Sequence, residues 1–435
     1  MAELRNANGV IVTVAGTGIN LALGVLYAWS IFKGAIKESI QANGPDSFQW
    51  DPVTLNDPYA VCCIVFACMM IVAGKVQDKY GPRLTAMIGG LLVGTGFVWI
   101  SQTSAYLSWV LGFGVLAGSG IAFGYAAATP AALKWFHQSK TGMISGIVVA
   151  GFGLASVYIA PLAQYLIQTR GIHASMLFFG ISFFVVVSLL AVFLKNPPSG
   201  YSPPGDYVRQ RSADSRGARS KFPTVHAGPA EILQQPFFWL LWVLFFIGAG
   251  AGLMVIGSMA GMAKASMGQN AFVAVAIMAI GNAGGRITAG ILSDRIGRKR
   301  SLLAIFSFQA MLMFAAIPLT TTGSANPTVI VLLAALIGFN YGANLSLFPS
   351  YAKDLWGMKN FGVNYGVLFT AWGLGGLVMS RFSESLAAQS GSFRASFMTA
   401  GALLLAGTVI ILLMRDRKEE MRQELRRQAV KAVPA

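Results

Sequence analysis

The chain is a succession of long apolar runs separated by short polar clusters. A hydrocarbon core about 30 Å thick takes roughly 20 apolar residues in a helix. Runs of that kind fall at 11–32, 58–76, 86–103, 108–132, 143–168 and 174–194, and again at 236–262, 271–292, 301–321, 328–350, 361–383 and 394–414. The pattern predicts an all-α membrane protein of twelve transmembrane helices, six on either side of a polar segment. The first run, from Val10, is longer than the ~7–15 apolar residues of a secretory leader and has no A-x-A cleavage site, so it reads as a span. Segment 196–234 differs in kind: it opens Asn196-Pro197-Pro198-Ser199-Gly200 and scatters Arg209, Arg211, Arg216, Arg219 and Lys221 among Asp206 and Asp214. Proline, glycine and mixed charge make a solvated linker. The expected organisation is a six-helix bundle over 1–195, a cytoplasmic linker over 196–234, a second six-helix bundle over 235–415 and a cytoplasmic tail over 416–435.

Composition narrows the class. Only 11% of the 435 residues are charged, against about 25% in soluble domains, which excludes a soluble enzyme and a disordered chain. The net charge of +16 would suit a nucleic-acid binder if it were spread evenly, but it is not. With the N-terminus inside, 25 of the 32 Lys and Arg fall on the inner loops, the linker and the tails, while the first outer loop carries Glu38, Asp46, Asp51 and Asp57. This is the positive-inside asymmetry. It predicts a multi-pass protein of the cell inner (cytoplasmic) membrane with both termini cytoplasmic, and the anionic inner leaflet accounts for the basic surface without a nucleic-acid partner. Cys62, Cys63 and Cys68 share one apolar run and read as small hydrophobes. No span carries a nucleophile with a base or a metal-ligand cluster, and His137, His173 and His226 fall at loops; no enzyme, metal or cofactor is implied.

The two halves repeat. Gly74-Lys75-Val76-Gln77-Asp78-Lys79-Tyr80-Gly81-Pro82-Arg83 aligns without gaps on Gly290-Ile291-Leu292-Ser293-Asp294-Arg295-Ile296-Gly297-Arg298-Lys299, an offset of 216 (290 − 74). The same offset carries Tyr125 onto Tyr341, and an offset of 220 carries Gly142, Gly146 and Phe152 onto Gly362, Gly366 and Trp372. Parallel repeats build one transporter architecture, with the substrate site at the midplane between the halves. The doubled G-x-x-x-D-[KR]-x-G-x-[RK] loop resembles that of the major facilitator superfamily. Its physics is readable directly: Asp78 and Asp294 end helices at the inner surface, where a carboxylate can meet a neighbouring helix N-terminus, and Arg83 and Arg298 can tie loop to aspartate. These four residues are expected to latch one conformation.

One charge lies inside the membrane. Arg286 precedes Asp294 by eight residues, roughly 12 Å along a helix. A guanidinium there costs at least ~2.5–3.5 kcal/mol and needs a partner, yet no Asp or Glu falls in the middle of any span. A lone guanidinium facing a cavity is a planar fork for a carboxylate. The offset pairs it with Met70, so the charge is not part of the repeated framework. The alternative is an architectural arginine held by backbone carbonyls and by Asn282, one turn earlier. Tyr27 and Trp29, Phe152 and Tyr158, and Trp372 form an aromatic set around it. Tyr125 and Tyr341, which occupy equivalent positions in the halves, stand out because a buried hydroxyl needs a partner. Asn340 and Asn344 flank Tyr341. The expected binding set is Arg286, Asn282, Tyr27, Tyr125, Tyr341, Asn344 and Trp372.

Several runs are similar to the oxalate/formate antiporter family and, more distantly, to the monocarboxylate transporters: Gly24-Val25-Leu26-Tyr27-Ala28-Trp29-Ser30, Lys134-Trp135-Phe136, Asn282-Ala283-Gly284-Gly285-Arg286, Leu347-Phe348-Pro349-Ser350 and Asn364-Tyr365-Gly366. The resemblance implies that Arg286 binds a substrate carboxylate. Oxalate carriers add a lysine eight residues after the Asn of Asn-Tyr-Gly; here that position is Trp372, so the second cation for a dianion is missing and a monocarboxylate such as lactate, pyruvate or formate fits better. The animal transporters' Asp four residues before the arginine is Asn282 here. The resemblance therefore implies a monomeric carrier working by alternating access, with proton symport and exchange against a counter-anion both open. An oxalate/formate-type exchanger or a facilitator of an unrelated substrate stands as the alternative.

Overall fold

The computed structural model describes residues 2–44, 47–198, 201, 227–268, 271–320, 326–390 and 392–414. Most of the expected linker and the tail from 415 onward lie outside the described residues. Among the described residues every long element is helical. Eleven helices are long and apolar enough to cross a membrane, and one of them, Thr141–Ala191, is 51 residues long. That helix is two spans: Gly171 has φ 80 and ψ 168 inside it, a left-handed backbone that an L side chain resists. Counted so, twelve spans form. They are α1 (Ala2–Leu23 and Trp29–Ala42, joined by the 3-10 stretch Gly24–Ala28), α2 (Asp57–Tyr80), α3 (Pro82–Ile100), α4 (Tyr106–Trp109, a π-helical stretch Val110–Ala117, then Gly118–Leu133), α5 (141–170) and α6 (172–191). The second half comprises α7 (Pro236–Met267), α8 (Ala271–Ile296), α9 (Arg298–Ala316), α10 (Pro327–Trp356), α11 (Phe361–Ser390) and α12 (Arg394–Leu413).

The apolar runs place these helices but understate their length. α1 continues through Lys33, Lys37 and Glu38, and α10 through Lys353 and Asp354, because backbone hydrogen bonding does not stop where hydropathy does. The repeated loop makes the same turn twice: α2 ends at Gly81 (φ 88) and α8 at Gly297 (φ 93), and the next helix starts at once.

Two crossings bring the halves together. α2 packs along α11, and α8 packs along α5. Both are glycine contacts. A Cβ on Gly74 would overlap the Gly362 carbonyl, and one on Gly290 would overlap the Gly142 carbonyl. A turn further in, Gly366 abuts the Met70 backbone as Gly146 abuts that of Arg286. Each pair maps onto the other by the offsets of 216 and 220, so the sequence repeat is a spatial one. We call the end where α1 begins and α12 ends the basic end; there the crossings are tightest.

Candidate functional site

The geometry starts from the crossings. At the basic end the Asp294 carboxylate accepts hydrogen bonds from the backbone N–H of Gly142 and Met143, both 2.9 Å, at the N-terminus of α5. The Asp78 carboxylate accepts from Gly362 and Val363, both 3.1 Å, at the N-terminus of α11. Free N–H groups and the helix dipole favour an anion at such a terminus by ~0.3–1 kcal/mol, more when partly buried. Each carboxylate thus pins one half to the other.

The two arginines expected to tie these loops part company. Arg298 bonds Asp294 at 2.8 Å and Asp354 at 3.0 Å. Arg83 does not reach Asp78: its Nη2 donates to the Val192 carbonyl, 2.9 Å away, just past the end of α6. The alignment explains this, since Arg83 corresponds to Lys299 and Pro82 to Arg298. Lys299 indeed donates to the Leu412 carbonyl at the end of α12, at 3.2 Å, and to that of Met414. Arg83 and Lys299 are ties within a half, to carbonyls that end the sixth helix of each. Near Asp78 the cation is Lys134, which donates to Asn196 Oδ1 at 3.0 Å; burial pulls its ammonium below the usual lysine value, an effect the Asp78 charge opposes. A contact outside the expected set, Lys353 Nζ to Thr141 Oγ1 at 2.7 Å, adds a further bond between α10 and α5.

At the opposite end the halves are parted. A cavity opens there, its walls including Tyr27 and Lys33 of α1, Tyr59 of α2, Asn282 of α8 and Arg381 of α11. Next to it is a closely packed pocket, too tight for a water molecule, lined by Tyr27, Phe66, Tyr125, Phe152, Arg286, Leu345, Phe369 and Trp372. Arg286 is fully buried. Its Nε donates to Asn282 Oδ1 at 2.9 Å, its Nη1 donates to the Val149 carbonyl, and its guanidinium carbon stands 6.0 Å from the centre of the Phe152 ring. Among the described residues no carboxylate pairs with it, and its Nη2 has no hydrogen-bond partner. An orphaned donor on a buried cation is costly.

Beside the two pockets a hydrogen-bonded chain crosses the halves. The Tyr27 and Tyr341 hydroxyls lie 2.7 Å apart, and Trp372 Nε1 donates to the Tyr341 hydroxyl at 2.9 Å. Tyr27 sits in the 3-10 stretch of α1, and its ring meets Phe152 edge-on at 5.2 Å. Tyr125 meets Phe66 and Phe152 edge-on at 5.7 and 5.6 Å. Six of the seven expected binding residues therefore converge. Asn344 does not: its Nδ2 donates to Gln309 Oε1 and to the Asn340 carbonyl, inside the second half and behind Tyr341. Tyr158 also turns away, its hydroxyl donating to the Leu21 carbonyl. Phe66 and Phe369 were not singled out from the sequence. Phe369 was within reach, three residues before Trp372 and stacked on it at 5.0 Å; Phe66 carries no signal of its own.

The sequence was compared with known proteins. A family profile described as Major Facilitator Superfamily matches residues 11–380 and 273–434. The chain is 28% identical over 372 residues to an uncharacterised MFS-type transporter, YhjX, of Escherichia coli strain K12, covering 84% of this chain and 85% of that one. It is 25% identical to the oxalate:formate antiporter of Oxalobacter formigenes (84% and 83% covered) and 27% identical to monocarboxylate transporter 11 of Homo sapiens (78% and 70%). The solved structure of the proton:xylose symporter XylE superposes with a TM-score of 0.71 at 13% identity, over 94% of this chain and 96% of that one, a likeness of fold.

Proposed function

The chain belongs to the Major Facilitator Superfamily, and from that premise we propose that it is a secondary active transporter of a small organic anion, a monocarboxylate of the lactate, pyruvate or formate kind, with Arg286 as the carboxylate-binding group. The family's members are transporters, not enzymes. The observation that carries the reading is Arg286 itself: fully buried on the seam between the halves, without a protein carboxylate among the described residues, and with Nη2 unbonded in a closely packed aromatic pocket that must loosen to admit a ligand. A substrate carboxylate would supply both the counter-charge and the missing acceptor. Relatives named for oxalate and formate and for monocarboxylates support the substrate class. Trp372 supports one carboxylate rather than two, because an indole stands where a dianion would call for a second cation.

In this reading the basic end faces the cytoplasm and the described conformation faces outward. An anion enters the large cavity, and the chain of Tyr27, Tyr341 and Trp372 parts to admit it to Arg286. Closure of the outer side then accompanies release of Asp294 from α5 and of Asp78 from α11, which opens the basic end. Rigid halves rocking about a midplane site are the general form of such a cycle. Asn282 holds the guanidinium plane, and Phe152 and Tyr125 pack edge to face beside it.

The test is uptake by reconstituted liposomes of a panel of labelled carboxylates, with and without a pH gradient and with and without internal unlabelled anion. The reading expects saturable uptake of at least one monocarboxylate, with oxalate competing poorly. Stimulation by an inward proton gradient identifies symport; stimulation by internal anion identifies exchange. Failure of every carboxylate, with uptake of a neutral solute, would overturn it.

A further inference from the structure

The run Asn364-Tyr365-Gly366 near the start of α11 is fixed on both sides. Asn364 Nδ2 donates to the Ala227 carbonyl at 3.0 Å, and Gly366 abuts the Met70 backbone. Tyr365 is held between them, buried, and seven residues nearer the basic end than Trp372, roughly 10 Å by helical rise. Its ring stacks on Phe361 at 5.8 Å and meets Phe369 edge-on at 5.6 Å. The Tyr125 ring lies against the same Phe369, at 5.5 Å. The hydroxyls of Tyr125 on α4 and Tyr365 on α11 face one another across the seam between the halves but outside hydrogen-bond geometry, and among the described residues no other group bonds either of them. Each of the two repeated tyrosines thus meets a tyrosine of the opposite half. Tyr341 bonds Tyr27 towards the outer cavity, and Tyr125 faces Tyr365 towards the basic end without a bond. Thr129, one turn beyond Tyr125 on the same face of α4, also has a buried hydroxyl without a partner, and the Asn364 side-chain oxygen has none.

A buried hydroxyl without a partner costs free energy, and a phenylalanine at either position would pack on Phe369 without that cost. The hydroxyls are accounted for if another conformation gives them an acceptor. When the basic end opens, α4 and α11 part along this seam, and two O–H donors come to face the space between Arg286 and the inner surface. We propose that Tyr125 and Tyr365 form an inner subsite for the substrate carboxylate, occupied after it leaves Arg286 and before it leaves the protein. This rests on the reading that the transported species is a carboxylate. Tyr125 also lines the pocket of Arg286, so the two sites adjoin. A phenol donates a hydrogen bond but brings no counter-charge. It therefore holds an anion less firmly than the charge-assisted fork of a guanidinium and lets it pass on. Thr129 and Asn364 continue the polar path towards the inner surface.

The test is Tyr365→Phe, which removes the hydroxyl and keeps the ring, with Tyr125→Phe beside it. The KM for the labelled monocarboxylate is measured separately from the outer and the inner face, in liposomes that hold the protein in one orientation. In Tyr365→Phe the inner KM should rise by about tenfold, the worth of one hydrogen bond to a charged group, and the outer KM should stay that of the parent. Tyr125→Phe should raise both, because Tyr125 belongs to both sites. Thermal unfolding of the anion-free protein should not change in Tyr365→Phe, since no bond is lost. If Tyr365 only held the basic end shut, its loss would favour the inward-open state, and the inner KM would fall while the outer one rose. That result, or an inner KM equal to the parent's, would overturn the proposal. A lowered unfolding temperature would overturn it too, by showing that the hydroxyl is already bonded. A parent protein that takes up no carboxylate would reject the substrate class instead, and with it the ligand assigned to this subsite.

Discussion

At the scale of the residue, Arg286 is a buried cation that no carboxylate neutralises among the described residues. Asn282 and the Val149 carbonyl satisfy two faces of the Arg286 guanidinium and leave Nη2 over. A structural arginine would be expected to use its whole fork, as Arg298 does with Asp294, Asp354 and Ser293. Beside it stands Trp372, whose indole bonds Tyr341 and to which the proposed function gives the choice between one carboxylate and two. Trp372→Lys would put an ammonium where a second carboxylate could bind, and should raise competition by oxalate against the labelled monocarboxylate by about tenfold, the worth of one charge-assisted hydrogen bond. Competition unchanged from the parent would mean that Trp372 does not face the bound anion. The isolation of Arg286 was legible in the sequence because it follows from a count of acids in the spans. The turning of Asn344 to Gln309 was not, because which face of α10 meets α9 depends on packing that one helix's sequence does not encode. The bond between Tyr27 and Tyr341 was hidden for a related reason: it joins residues 314 positions apart, across an interface whose register is set by glycines elsewhere.

At the scale of the element, two helix termini join the halves. Asp294 and Asp78 each occupy the N-terminus of a helix from the other half, and the glycine crossings beside them admit no side chain. Asp294→Asn would keep the shape and lose the charge, weakening the hold on α5 and on Arg298 by about 1 kcal/mol, or roughly fivefold in the closed-to-open ratio. The measurement is maleimide labelling of a cysteine at Ser346, which is buried beside Gly290: labelling should rise severalfold in Asp294→Asn. Equal labelling would show that the carboxylate does not hold this end shut. The elements themselves were legible, down to the division between α5 and α6, expected at 168–174 and found at Gly171. Arg83 departs from the expected tie to Asp78 because the two loops correspond by register and not as whole motifs. Aligned residue by residue it corresponds to Lys299, and both reach the carbonyls that end a sixth helix.

At the scale of the whole molecule, a repeated framework carries an unrepeated site. The crossings α2 with α11 and α8 with α5 are copies of one another, but Met70 stands where Arg286 does, and Phe152 where Trp372 does. In the proposed cycle the symmetric parts move and the asymmetric ones bind substrate. The repeat was visible as an offset of 216 because a hinge loop tolerates few sequences, whereas the cavity's opening at one end depends on which of two near-equivalent packings is adopted, and nothing in the chain's hydropathy records that. The central claim is that Arg286 binds the substrate carboxylate, and equilibrium binding tests it most directly. Purified protein is titrated with the labelled monocarboxylate that the liposome panel identifies, alongside Arg286→Lys of equal expression and unchanged thermal unfolding. A lysine keeps the charge but loses the planar fork, so the account expects affinity to fall by at least tenfold; affinity equal to that of the parent would contradict it.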